Sequence, residues 1–98
     1  MNSLHTEQVI KTTTAFKILS DPTRFKMLCL LSESKEGLCV GELADAVGVS
    51  HSAASHQLTK LEARGVVTSF REGQEVCYEL QNDSFTRNLI RVMKTFAR

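Results

Sequence analysis

A tight turn between two segments of helical periodicity, Gly48-Val49-Ser50, is the feature that most constrains how this chain can fold. The segment before the turn, 42–47, has the apolar spacing of a short helix, and the segment after it keeps a helical pattern to about Arg64. Gly48 is the residue type that most readily adopts the left-handed conformation after a helix, and Ser50 is a common cap residue before one. The pattern therefore predicts a helix-turn-helix over residues 41–64.

The hydrophobic pattern changes directly after Gly65, where the second helix of this motif would end. Two segments rich in β-branched and aromatic side chains flank Glu72-Gly73-Gln74, which predicts a β-hairpin, or wing, over 66–80. Helical periodicity then returns and predicts a final helix over about 83–97. Its apolar stripe consists of Phe85, Leu89, Val92, Met93 and Phe96.

Two further helices are predicted in the N-terminal third of the chain. The first spans about 5–19, where the residues at helical spacing are Val9, Thr13, Phe16 and Leu19. The segment Ser20-Asp21-Pro22 marks the start of the second, since Asp21 can cap a helix and proline suits its first turn. That helix would end near Ser34, and the short apolar stretch 38–40 is a candidate strand of a small sheet.

These elements define a single domain, 1–98, that is mainly α with a small β-hairpin, in the order α-α-α-α-β-β-α of a winged helix-turn-helix. Its 98 residues, of which 42% are hydrophobic, suffice for one core. A domain of this size buries only about 60–65% of its unfolded surface, and the apolar stripes of the terminal helices would stay partly uncovered. We therefore expect a homodimer that joins the helices over about 5–19 and 83–97.

Composition and charge argue against several other classes of protein. No apolar run approaches the roughly 20 residues that span a bilayer, and residues 1–14 lack the pattern of a secretory signal, so we expect a cytoplasmic protein without a membrane partner. Three cysteines without C-x-x-C spacing argue against a disulfide framework. We expect no enzyme, because no nucleophile–base pair, carboxylate pair or phosphate-binding loop stands out. The net charge of +1 neither supports nor excludes a nucleic-acid partner.

The outer face of the predicted fourth helix favours double-stranded DNA as the partner. Ala54, Leu58 and Leu61 share the inward side, whereas the opposite side carries small hydroxyls, imidazoles and one lysine. Such small donors and acceptors let a helix lie deep in the major groove with its side chains at the base edges. The predicted DNA-binding residues are Ser50, His51, Ser52, Ser55, His56, Thr59, Lys60, Arg71 and Gln74.

These residues divide into two predicted groups. Base readout is expected from His51, Ser52, Ser55 and His56. Contacts with phosphates or the minor groove are expected mainly from Lys60, Arg71 and Gln74. The alternative is a winged-helix protein-interaction module whose fourth helix has an ordinary polar face, and salt-dependent retention on random DNA would distinguish the two.

Several separated motifs between residues 19 and 80 occur in an order that one protein family shares. They are Leu19-Ser20-Asp21-Pro22-Thr23-Arg24, Val40-Gly41-Glu42-Leu43-Ala44, Val49-Ser50-His51-Ser52-Ala53-Ala54-Ser55-His56-Gln57-Leu58, Leu61, Gly65-Val66-Val67, Arg71-Glu72-Gly73-Gln74 and Tyr78-Glu79-Leu80. In these motifs the chain resembles the ArsR/SmtB family of winged-helix repressors. The resemblance implies a homodimer with the first and last helices at its interface and the fourth helix in the major groove. It also implies release from the operator by an inducer, commonly a metal or metalloid ion.

The chain departs from this family at both of its best-known metal sites. Where one site has Cys-Val-Cys at the start of the third helix, this chain has Cys39-Val40-Gly41, and its N-terminal arm offers only His5. Where the other site uses Asp, His and Glu on the last helix, residues 83–98 contain no His and no Glu. We therefore expect no tight zinc or cadmium binding at either site and assign no cofactor, which leaves Cys39 as the remaining candidate metal ligand.

The other two cysteines are candidates for thiol or redox sensing. Cys29 resembles the position that sulfide-responsive members of the family use, but their second cysteine on the last helix is missing here, and a buried small hydrophobe is the simpler interpretation. Cys77 is expected to face the opposite side of the hairpin from Val76 and Tyr78; an exposed thiol there could be oxidised, but an inert thiol is the simpler interpretation. The alternatives are convergence of all three cysteines on a trivalent arsenical, and a thiol-responsive or constitutive regulator without metal sensing. These residues identify neither the inducer nor the operator.

Overall fold

Eight helices and strands follow one another in the structure, a computed structural model that describes residues 5–96. They are α1 (Thr6–Leu19), α2 (Pro22–Glu33), β1 (Leu38–Cys39), α3 (Val40–Val47), α4 (His51–Ala63), β2 (Val67–Glu72), β3 (Glu75–Leu80) and α5 (Ser84–Phe96). This order confirms the predicted mainly α fold with a β-hairpin between the fourth and last helices. The predicted end of the last helix at residue 97 lies outside the described residues.

Short polar side chains start two of the helices at the residues where the sequence offers a cap. A carboxylate oxygen of Asp21 accepts a hydrogen bond from the backbone N–H of Arg24 at 2.9 Å, directly before Pro22 opens α2. The Ser50 hydroxyl accepts from the backbone N–H of Ala53 at 3.1 Å and so begins α4. Between α3 and α4, Gly48 takes the left-handed conformation with φ of 77°.

The strands form one antiparallel sheet in the order β1-β3-β2. Strands β2 and β3 pair from Val67–Leu80 to Glu72–Glu75, and Gly73, with φ of 65°, opens the two-residue loop that joins them. Strand β1 lies along the other edge of β3, so the wing is a three-stranded sheet rather than the hairpin alone.

The boundary between β1 and α3 differs from the predicted one. The candidate strand was expected over 38–40 and the third helix from Glu42, whereas the helix begins at Val40. The cause is local, because the backbone N–H of Cys39 donates to a carboxylate oxygen of Glu42 at 2.9 Å in a capping box that starts the helix two residues earlier.

The core collects apolar side chains from every helix and from the sheet. Its fully buried members include Ile18, Met27, Leu28, Leu43, Leu58, Leu61, Val66, Val67, Leu89 and Met93. The predicted apolar stripe of α5 is therefore divided between two environments. Leu89 and Met93 belong to the core of the protomer, whereas Val92 and Phe96 lie on the surface.

Candidate nucleic-acid interface

Helix α4 presents the two faces that its sequence predicts. Ala54, Leu58 and Leu61 are at most 1% exposed and pack in the core. The opposite side of the helix is polar and solvent-facing, and its exposed residues are His51, Ser52, His56, Thr59 and Lys60. Ser55 is half-buried on the flank, and the Ser50 hydroxyl is occupied by its cap hydrogen bond.

A shallow cavity brings residues of α4 and of the wing together. Its volume is about 430 Å³, and His51 and Ser55 of α4 line it with Gln74 of the wing loop. The walls are completed by the start of α3 and the middle of β3. Three predicted DNA-binding residues from two separate segments thus border one groove.

A second, smaller cavity lies beside the opposite end of α4 and is lined by four cationic side chains. Its volume is about 210 Å³, and the four are Lys17, Arg24, Lys60 and Arg64. No acidic residue is among its lining residues. Lys60 is the only one of the four that was predicted as a DNA contact; Lys17 and Arg64 were missed because they lie outside the helical face from which contacts were predicted.

Arg24 holds α4 against the junction of α1 and α2. Its guanidinium donates hydrogen bonds to the side-chain oxygen of Gln57 at 3.1 Å, to the carbonyl of Ile18 at 3.1 Å and to the carbonyl of Lys17 at 2.9 Å. Sequence reasoning assigned no role to Arg24 or Gln57, although both stand in the shared motifs. The guanidinium therefore fixes the position of α4 relative to the rest of the protomer.

The wing is tied to the C-terminal end of α4 by a second polar contact. A carboxylate oxygen of Glu62 accepts hydrogen bonds from the backbone N–H of Ser69 at 3.2 Å and from its hydroxyl at 2.7 Å. Arg71 and Gln74 are exposed near the tip of the wing. The sheet thus presents these two side chains on a support that is hydrogen-bonded to α4.

The cysteines are arranged differently from the prediction. Cys39 and Cys77 are joined in a disulfide, so the expectation of no disulfide was wrong. The reason is the strand register, because Cys39 of β1 lies directly opposite Cys77 of β3. Cys77, which was expected to face the opposite side of the hairpin from Val76 and Tyr78, is fully buried.

Cys29 is a free thiol and is half-buried rather than fully buried. Burial, and secondly the nearby carboxylate of Glu33, raises the pKa of the Cys29 thiol. Cys29 does not belong to the cluster of potential metal ligands around the other two cysteines. The third member of that cluster is the exposed Glu72.

The donor sets do not fit a metal ion at the family's two known positions. At the start of α3, the Cys39 sulfur is bonded to Cys77, and Gly41 offers no ligand. At the start of α5, the Asp83 carboxylate accepts the backbone N–H of Thr86 at 2.8 Å, and α5 supplies no imidazole or further carboxylate. Within residues 5–96, the one cluster of three metal-ligand side chains is Cys39, Glu72 and Cys77, and it contains neither His51 nor His56.

A helix-turn-helix whose second helix exposes a polar face beside a β-wing defines the winged-helix class of DNA-binding proteins. A sequence model of the family described as "Bacterial regulatory protein, arsR family" matches residues 21–69. The HTH-type transcriptional regulator YgaV of Escherichia coli (strain K12) is 37% identical over 68 residues, which are 69% of this chain and 68% of that protein. The transcriptional repressor SmtB homolog of Synechocystis sp. is 41% identical over 76 residues, which are 78% of this chain and 55% of that protein.

Solved structures show the same fold. The AntR antimony-specific transcriptional repressor superposes with a TM-score of 0.82 at 28% identity, over 97% of this chain and 81% of that one. HlyU from Vibrio cholerae N16961 gives a TM-score of 0.80 at 26% identity, over 96% of this chain and all of the other. The chain belongs to the arsR family, and it is a DNA-binding transcriptional regulator rather than an enzyme. No helix among residues 5–96 is long and apolar enough to cross a membrane.

Proposed function

We propose that the protein is a homodimeric repressor that binds a double-stranded DNA operator with α4 in the major groove. The groove bordered by His51, Ser55 and Gln74 carries this proposal. It places the polar face of α4, whose opposite face is packed in the core, beside the wing loop. A repressor of this kind acts in the cytoplasm, where bacterial DNA is, and an inducer releases it. Because the known metal positions lack a donor set, the inducer acts elsewhere on the protein.

The two cavities beside α4 suggest how contacts divide between bases and phosphates. His51, Ser52, Ser55 and His56 are short side chains on the first half of the helix and suit base edges. Lys60 is grouped with Lys17 and Arg64 around the cationic cavity, which suits the phosphate backbone. At the wing, Arg71 and Gln74 contact the phosphates or the minor groove.

The dimer forms through the outer faces of α1 and α5. A groove of about 410 Å³ runs between these helices and is lined by residues that include Phe16, Phe85 and Val92. Phe16 is 57% exposed and Phe96 is 78% exposed, and Val9 and Ile10 of α1 are also exposed. This much exposed apolar surface at two adjacent helices is expected to be covered by a second copy of the chain.

Binding to operator and random DNA tests the assignment of contacts. The operator is first located by footprinting on the DNA upstream of the protein's own coding sequence. Ser52→Ala and Ser55→Ala should each weaken operator binding by about 1–3 kcal/mol and relax specificity, while binding to random DNA stays unchanged. Lys60→Ala should weaken binding to both DNAs alike and reduce the salt dependence.

Lys94→Ala is the matched control for Lys60→Ala, because Lys94 is an exposed lysine on α5, outside the proposed surface. It should leave both affinities unchanged. Equal losses on operator and random DNA for the two serine variants would contradict the base contacts. Failure of the wild type to prefer any DNA would favour the protein-interaction module instead.

Analytical ultracentrifugation tests the dimer. The wild type should sediment as a dimer at micromolar concentration, and Phe16→Glu or Val92→Glu should give a folded monomer. Charged residues at Leu89 or Met93 would instead disrupt the core of the protomer, because both side chains are only 1% exposed. Lys94→Glu is the control, since Lys94 does not line the groove between α1 and α5. A monomeric wild type would refute the interface.

A further inference from the structure

The disulfide between Cys39 and Cys77 lies at a junction of the DNA-binding surface. Cys39 is both the last residue of β1 and the N-cap of α3, the first helix of the helix-turn-helix. Cys77 lies in the middle of β3, the central strand of the wing. Because β1 has only two residues, the bond adds a covalent link to a short backbone pairing between the start of α3 and the wing.

The chain neighbours of both cysteines line the groove between α4 and the wing. Val40 follows Cys39, while Val76 and Tyr78 flank Cys77, and all three are lining residues of the cavity that His51, Ser55 and Gln74 also border. A change in the covalent bond therefore acts on the walls of the proposed DNA-binding groove. The chain neighbours of Cys29, which lies on α2, are not among the lining residues of this cavity.

We propose that Cys39 and Cys77 are a reversible thiol-oxidation site, at which a peroxide forms the disulfide and thereby raises the affinity for DNA. The effect on DNA rests on the proposed function, whereas the oxidation chemistry does not. The bond pre-organises α4 and the wing in the arrangement seen here, so the oxidised protein loses less freedom on binding. The reduced protein keeps the fold, with a looser connection between β1 and β3.

The chemistry needs only the two sulfurs and a peroxide. Cys39 is 7% exposed and Cys77 is 0% exposed, so we assign the first attack on the peroxide to Cys39, the more accessible of the two residues. The Cys39 thiolate attacks one peroxide oxygen, the O–O bond breaks, and a sulfenic acid and hydroxide result. The Cys77 thiolate then attacks the sulfenic sulfur, the S–S bond forms, and hydroxide leaves and is protonated to water. Overall, two thiols and one hydrogen peroxide give one disulfide and two waters, and a dithiol reductant reverses the step.

Counting thiols tests the site on the whole protein without any mutation. After treatment with dithiothreitol, all three cysteines should react with iodoacetamide under denaturing conditions. After hydrogen peroxide, only Cys29 should react, and non-reducing peptide mapping should show Cys39 linked to Cys77. Three reactive thiols after peroxide, or a linkage that includes Cys29, would overturn the proposed site.

Fluorescence anisotropy with operator DNA tests the effect on binding. The oxidised wild type should bind about threefold to tenfold more tightly than the reduced protein, a difference of up to about 1.4 kcal/mol. Cys39→Ser and Cys77→Ser should bind like the reduced wild type under both conditions, and Cys29→Ser is the control that keeps the redox response. If burial prevents Cys77→Ser from folding, Cys77→Ala replaces it, and the wild-type comparison needs no variant.

Two further outcomes have distinct meanings. Equal affinities of the oxidised and reduced wild type would overturn the effect on DNA even if the disulfide forms. Formation of the disulfide without operator binding in either state would refute the proposed function and the redox effect together, while the oxidation site would stand.

Discussion

Loss of the Arg24 guanidinium should loosen α4 from the rest of the protomer. The guanidinium makes three hydrogen bonds, of which the one to Gln57 is the direct tie to α4. The other two go to the carbonyls of Ile18 and Lys17 at the end of α1. Arg24→Ala therefore removes a connection among three helices, and Gln57→Ala removes only its branch to α4.

The magnitude follows from the count of bonds and their exposure. Hydrogen bonds to charged groups contribute about 1.5–3 kcal/mol each when buried, but here one bond is exposed and two are partly buried. The Lys17 carbonyl also accepts from the Ser20 hydroxyl at 2.8 Å, so it keeps a partner. We expect Arg24→Ala to lower the free energy of unfolding by about 2–3 kcal/mol and Gln57→Ala by about 1 kcal/mol.

Urea unfolding of both single variants and the double variant, at one fixed protomer concentration, measures the coupling between the two side chains. The coupling energy should be about 1 kcal/mol, because the double variant cannot lose the shared bond twice. Lys26→Ala, an exposed lysine on the same helix, should change stability by less than about 0.5 kcal/mol. Additive losses in the double variant would refute the tie between Arg24 and α4.

Three further predictions concern a glycine, a thiol and a helix cap. A β-carbon at Gly37 would lie 2.5 Å from a carbonyl oxygen of β3, whereas one at Gly48 would meet open space, although both residues have positive φ. Gly48→Ala should therefore lower the free energy of unfolding, measured in urea, by about 1 kcal/mol, and Gly37→Ala by about 3 kcal/mol or more. Because burial raises the pKa of Cys29, the pH midpoint of its alkylation in the oxidised protein should lie above that of an ordinary cysteine; an ordinary midpoint would contradict this. The Thr86 backbone N–H lowers the pKa of Asp83, so this cap stabilises the fold above about pH 4 and is lost as the pH falls through that lowered pKa. Asp83→Asn should weaken this acid dependence in pH-dependent thermal unfolding, and an unchanged profile would refute it.

Much of the fold could be predicted because its signals are local. Asp21, Ser50 and Gly48 act within one turn of their own position, and each takes the role that its residue type favours. The inward face of α4 follows from helical periodicity alone. The early start of α3 was missed, because Cys39 is an uncommon cap residue and the capping contact comes from Glu42.

The features that sequence reasoning missed depend on contacts between distant segments. The disulfide requires Cys39 and Cys77 to be opposite each other, which only the pairing of β1 with β3 establishes. Arg24 and Gln57 are separated by 33 residues and meet only when α2 packs beside α4. The α5 stripe did not separate Leu89 and Met93, which pack in the core, from the exposed Val92 and Phe96, because periodicity indicates an apolar face but not whether the chain or a second copy covers it.

The distribution of charge reconciles a net charge of +1 with binding to a polyanion. A chain with nearly balanced charges can bind DNA only if the fold gathers its cations on the binding side. Here Lys17 and Arg24, from the first two helices, meet Lys60 and Arg64, from the end of α4, around one cavity without acidic lining residues. Arg24 makes internal hydrogen bonds, so Lys17, Lys60 and Arg64 are the three cations per protomer that we propose for phosphate contacts at this cavity. Since each neutralised phosphate adds about 0.9 to the slope of affinity against salt, removing Lys17 or Arg64 should reduce that slope as Lys60→Ala does.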